Sequence, residues 1–245
     1  MSRPRFVLLL SAVLAAFTPP PAAAQSQGVT KAPPPLPPAT PEGARVAPYK
    51  QTLRMVMFRE GQEQQVGTLT DEVTRSSAGG TPVLIRVQQI STTGRGIMTD
   101  TSVANAATLV PRWHSSHGPN RTLRLEFTPG RVRGSEQPVN AEPAAIDHVV
   151  GQRIFDGNML DVLVASLPLS ATYKGRIPVY VYEAGGETPV DVAVVSSETL
   201  GADPVWVVGV MLGGRIAMYY VTKETPRVAQ IVSQPAPGVE LKFLR

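Results

Sequence analysis

Phe155 to Leu169, FDGNMLDVLVASLPL, is the one segment beyond the first two dozen residues that reads as a helix, and strand-like runs flank it on both sides. Asp156 or Asn158 can cap its start, because a short side-chain oxygen accepts from the free amides of a first turn. Met159, Leu160, Val162, Leu163 and Leu167 recur three and four residues apart and fall on one broad apolar face. Pro168 ends the run by disfavouring a helical backbone at Leu167. Asp161 is expected to be a solvated position on this helix, which covers about 156–167 and lies across a sheet.

The sheet is read from the segments on either side. Tyr49 to Phe58 alternates, with Leu53, Met55 and Met57 on one face and Thr52 and Arg54 on the other. Gln65 to Arg75 and Pro82 to Thr92 continue the pattern; Val83 and Ile85 are expected inward, with Arg86 and Gln88 on the opposite face. Arg121–Phe127 and Gly130–Ser135 form a hairpin, and 137–145 reads as a loop. After the helix come 177–182, 190–197, 205–212, 216–222, 227–233 and 239–244, nearly every gap punctuated by Gly, Pro, Asp or Asn. The fold class is mainly β: a single curved antiparallel sheet, half-barrel or barrel-like, with one helix packed against it.

Residues 1–24 read as a signal peptide. Arg3 and Arg5 precede a short apolar run, and Ala22, Ala23 and Ala24 supply small residues for cleavage. The run, about a dozen residues, is shorter than the roughly 20 that span a bilayer, so no transmembrane segment is expected in the mature chain. Residues 25–48, centred on Pro33 to Pro38, read as a Pro-rich disordered linker, and 49–245 as one β-rich domain. An exported, periplasmic or secreted protein is the expectation. Removing the leader lowers the formal net charge from +4 to about +2, which argues against a nucleic-acid partner. The chain has no cysteine, which excludes disulfides, thiolate catalysis and cysteine metal sites.

Chemistry-bearing motifs are sparse. His114 and His117 are three apart, a spacing that puts them on opposite sides of a strand, and no third ligand is near in sequence, so no metal site is assigned. A hydrolase using His114 or His117 is the alternative enzymatic reading, but no Gly-x-Ser-x-Gly elbow is present. Gly209–Gly214 lacks the Lys-Ser/Thr of a phosphate loop and reads as a hairpin turn. Arg121, Arg124, Arg131 and Arg133 alternate with Leu123, Leu125 and Val132, as on the solvated face of a hairpin, with contact to an anionic surface as the sharper reading. Interior aliphatics are expected at Leu53, Met55, Met57, Val83, Ile85, Val179, Val181, Val207, Met211, Ile216 and Met218. They make either an ordinary core or a shell around an apolar pocket. Met55, Met57, Trp113, His114, Trp206, Met211, Met218 and Tyr220 are the candidate ligand-binding residues.

Several stretches carry a family resemblance: Val66-Gly67-Thr68-Leu69, Thr108 to Arg112, Leu123 to Phe127 followed by Val132-Arg133-Gly134, Ser166 to Leu169, Val205 to Val208, and Tyr219 to Thr222 through Arg227-Val228. From about Tyr49 to the C-terminus the chain resembles an exported bacterial family known as domain of unknown function 3108. More loosely it is similar to the open half-barrels of lipoprotein carriers. The resemblance implies a mostly antiparallel β protein with no established activity and no catalytic residues to carry over. Tyr220 stands where the family usually has tryptophan. The leading expectation is non-enzymatic binding of a lipid, another apolar molecule or an envelope protein partner, with no cofactor; a purely structural envelope role is the third reading.

Overall fold

The computed structural model describes residues 35–245; residues 1–24 and 25–34, read above as leader and first part of the linker, lie outside them. The first meander comprises β1 (Tyr49–Arg59), β2 (Gln62–Ala78), β3 (Thr81–Thr92), β4 (Gly96–Asn105), β5 (Pro111–His117), β6 (Arg121–Thr128), β7 (Arg131–Pro138) and β8 (Ala144–Val149). The second runs through β9 (Phe155–Asp156), β10 (Lys174–Val181), β11 (Gly186–Leu200), β12 (Asp203–Leu212), β13 (Arg215–Thr222), β14 (Val228–Ala236) and β15 (Val239–Leu244). Pairing of β1 with β15 joins the two into one 15-stranded curved sheet that is not closed, with β8 and β9 at its edges. Every pair of neighbouring strands is antiparallel except β9 with β10, which is parallel.

Close strand spacing explains two glycines of the resemblance motifs. A Cβ on Gly67 would press into the carbonyl oxygen of Ser91 on β3, and one on Gly134 into that of Arg124 on β6. The sheet edges meet through side chains rather than a ladder. Tyr180 on β10 packs edge-on against Phe127 with ring centroids 5.8 Å apart, and its hydroxyl shares a 2.9 Å hydrogen bond with His148 Nδ1 on β8. Tyr182 donates to Glu136 (2.6 Å) and Arg121 to Glu183 (2.6 Å) across the same seam. A second apolar cluster of Leu123, Leu125, Phe127, Val132, Ile146, Ile154 and Tyr180 lies beneath it.

The helical segment is shorter than its spacing predicts. Phe155 and Asp156 are strand, Gly157–Met159 a single 3-10 turn, and only α1 (Leu160–Ala165) is α-helical. Asp156 caps the turn by accepting from Asn158 N at 3.0 Å. All six residues of α1 are buried, so it is a plug inside the curve, packed against β13 and β14, rather than a cover with one wet face. Asp161, expected in solvent, is among the buried residues.

Three further expectations differ from the structure. Residues 35–48 do not extend away as a tether. Ala39 N donates to Arg176 O and Arg176 N to Pro37 O, both at 2.8 Å, Val46 is buried, and Arg75 bonds the carbonyls of Gly43 and Val46 at 2.6 and 2.9 Å. Prolines suit such a strap because they need no donor of their own. On β3 the inward face carries Leu84, Arg86, Gln88 and Ile90, the reverse of the expected phase; Val83 is buried outside the main core and Ile85 half-buried. On β12 and β13 the phase is also reversed. Val208, Val210, Tyr219 and Val221 join the core, whereas Met211 (39% exposed), Ile216 (57%) and the half-buried Met218 lie on the other face. Both faces of these strands are apolar, so alternation alone leaves their orientation undetermined.

Candidate functional site

The inner face carries a polar region and an apolar recess. In the polar region, β2, β3 and the helical segment meet at Arg86, 2% exposed. Its Nε donates to Asp71 at 2.7 Å, and its terminal nitrogens bond Asp161 and the Asn158 carbonyl. Tyr49 donates to the second oxygen of Asp71 at 2.7 Å. Two carboxylates thus share one guanidinium. Burial, then the charge of Asp71, raises Asp161 to about 6 although Arg86 pulls the other way. Between the ordinary value of 3.8 and about 6 the folded state therefore holds a proton there that the unfolded chain releases, and the cluster's contribution to stability falls as pH rises through that window.

Next to it lies a second polar group. Ser102 on β4 donates to Asp156 at 2.7 Å and lies 3.0 Å from His114 Nδ1 on β5, while Asp156 is 3.4 Å from the same nitrogen. Asn158 Nδ2 is 2.9 Å from His114 Nε2. Burial opposes the imidazolium, but Asp156 foremost, then Asp100 and Glu183, outweigh it and raise the His114 pKa. Asp156 is lowered: its burial is outweighed by His114, Ser102 and the Asn158 amide. His114, Asp156 and Asn158, with Asp100, Ser116, Arg121, Tyr182 and Glu183, line a recess of about 30 Å³.

This constellation is not a nucleophile–base–acid relay. A relay needs the serine at one imidazole nitrogen and the acid at the other. Here Ser102 and Asp156 share Nδ1, and the serine proton is directed to the aspartate. His117 is exposed, its Nδ1 3.5 Å from Thr122 Oγ1. Among the described residues no group of three or more His, Cys, Asp or Glu could hold a metal ion.

The apolar recess, about 80 Å³, lies between Leu160 of α1 and the inner face of β12–β15. Val210, Leu212, Ala217, Tyr219, Ile231, Leu241 and Phe243 form its walls, and Arg215, Ile216, Ser233, Gln234 and Pro235 complete its lining.

Of the sequence candidates, only His114 lines either recess. Met55 is fully buried in the core, Met57 half-buried outside it, and Trp113 exposed. Trp206 packs against the core with Lys223 Nζ 3.8 Å from its ring centroid, and Tyr220 is half-buried. Three of the four arginines of the alternation form ion pairs: Arg121 with Glu136 and Glu183, and Arg131 and Arg133 with Asp147. Sequence reasoning missed Arg86, Asp71, Asp100 and Ser102. The signal was present as a polar residue at the middle of an apolar i, i+2 row, as in Leu69-x-Asp71-x-Val73.

Residues 50–239 match the family model described as "Protein of unknown function (DUF3108)". The chain belongs to this family. The matched stretch includes the lining of the polar recess and most of that of the apolar one, Leu241 and Phe243 lying beyond it, and it starts beyond the strap of 35–48. No curated protein matches the chain. Among solved structures it is similar to the crystal structure of a β-barrel-like protein of the domain of unknown function DUF1849 from Brucella abortus. The two share 10% identity at a TM-score of 0.55, covering 82% of this chain and 97% of that one, which makes this a likeness of fold.

Proposed function

We propose that this protein is an exported, non-enzymatic binder that holds an apolar ligand, such as a lipid acyl chain, between α1 and β12–β15. The observation that carries the reading is the apolar recess itself. Its walls are aliphatic and aromatic side chains of the inner face, the usual lining of a small-molecule site. An open sheet can widen at this point without breaking a ladder, because α1 forms one wall and strands the other. The leader-like residues 1–24 support export, and no described helix is long and apolar enough to cross a membrane. Native mass spectrometry with lipid extraction, on protein purified from its own envelope, tests the reading. A stoichiometric apolar ligand, lost on substitution Ala217→Phe in a variant that still melts cooperatively, is expected. A clean unliganded mass, with no binding of an apolar fluorophore, would overturn it.

A further inference from the structure

The polar recess has its own donor and acceptor balance. Arg121 donates to Glu136 Oε1 (3.1 Å) and Glu183 Oε1 (2.6 Å), and Tyr182 to Glu136 Oε2. Ser102 is committed to Asp156, and Ser116 to Asp100. Glu183 Oε2 is left fully enclosed and without a hydrogen-bond partner among the described residues, although a buried carboxylate oxygen of this kind is costly to leave unmet. Asp100 is buried, and Asp156 and Glu183 both act on it electrostatically: burial first, then these neighbours, raise its pKa against the pull of His114 and Ser116. Thus Asp100 and Glu183 line one recess in which the nearby protein donors are already engaged, Asp156 being met by Ser102 and the Asn158 amide.

The missing complement is a group that brings both positive charge and several N–H donors. Water supplies donors without charge, and a quaternary ammonium charge without donors; a primary ammonium supplies both. The space of about 30 Å³ suits one such group, and Met98, Leu123 and Leu125 in the same lining offer an apolar wall for its stem. We infer that the recess between β4–β6 and the turn at Tyr182–Ala184 binds a primary ammonium group on a short aliphatic stem. It contacts Glu183 Oε2 and Asp100, and it is a site separate from the apolar recess.

Isothermal titration of the purified chain with ethylammonium, tetramethylammonium, ethanolamine and glycerophosphoethanolamine tests this, with the His114 imidazole resonances as a local reporter. Saturable one-to-one binding of ethylammonium, a shift at His114, and no response to tetramethylammonium are expected. Glu183→Gln weakens binding by about tenfold or more, the factor expected for one charge-assisted hydrogen bond, while melting cooperatively. Asp100→Asn, which keeps the Arg121 pairs intact, is the second variant and weakens binding in the same sense. Tighter binding of glycerophosphoethanolamine than of ethanolamine would identify a lipid headgroup as the source of the amine; equal or weaker binding would identify a free amine. Absence of saturable binding with every primary amine, or binding undiminished in both variants, would overturn the proposal and leave water as the occupant.

Discussion

Strands β2–β5 present Asp71, Arg86, Asp100, Ser102 and His114 to the interior, whereas β12–β15 present Val208, Val210, Tyr219, Ile231, Leu241 and Phe243. The segment 155–165 lies between these regions and is adapted to both. Asp156, Asn158 and Asp161 reach the polar strands, while Leu160 and its helical neighbours pack toward β13 and β14. The apolar region stabilises by removing surface from water, without regard to direction. The polar region contributes little net stability, because desolvation offsets most of the attraction between its charges. It contributes direction instead: one guanidinium must face two carboxylates and a carbonyl, so the helical segment docks in one orientation.

This contrast is open to direct attack. Arg86→Met should be the most damaging change, costing about 3–5 kcal/mol in urea unfolding, because two carboxylates stay buried without their cation. The loss should be larger at alkaline than at mildly acidic pH, since protonating Asp161, raised to about 6, relieves the repulsion. A pH-independent loss would erase the distinction between the two regions. Ile231→Ala in the apolar region should cost about 2–3 kcal/mol, at the low end for such truncations because the wall can relax into the adjoining recess. That loss should be the same at every pH.

Gly134→Ala separates backbone fit from both. A methyl pressed into the Arg124 carbonyl should cost about 1–3 kcal/mol and lower the melting temperature without altering the pH profile. The smallest effect is expected at His114→Gln. The His114 pKa is raised in the folded state, so its contribution is complete below the ordinary imidazole value of 6.5 and is lost as pH rises through the folded value. The variant's stability should therefore change less than wild type over that window. An unchanged slope would remove His114 from the ionic balance of the polar region.

Much of the fold was legible because local signals agreed. Turn residues separated most strands, and Leu53, Met55, Val179 and Val181 stood on the inward face as their alternation suggested. β8 was missed because 144–149 lies in a stretch rich in Ala, Pro and Glu that carries little strand signal. The candidate sites were less legible. His114 stood out as a residue type, but its partners Ser102 and Asp156 are 12 and 42 positions away, and nothing local joins them. Met211, Met218 and Ile216 drew attention as apolar residues, yet the inward set on those strands is Val208, Val210, Tyr219 and Val221.

The sequence by itself determined the mainly β class, the serial order of most strands and the place of the helical segment, because these follow from periods of two and 3.6 and from turn residues. Tertiary structure alone decided which face of β3, β12 and β13 points inward, because alternation defines two faces without ranking them when both carry apolar side chains. It also decided that Arg86 lies inside. An arginine in a strand is read as a surface residue until a carboxylate from elsewhere in the chain is available to receive it. Here that partner, Asp161, is 75 residues away.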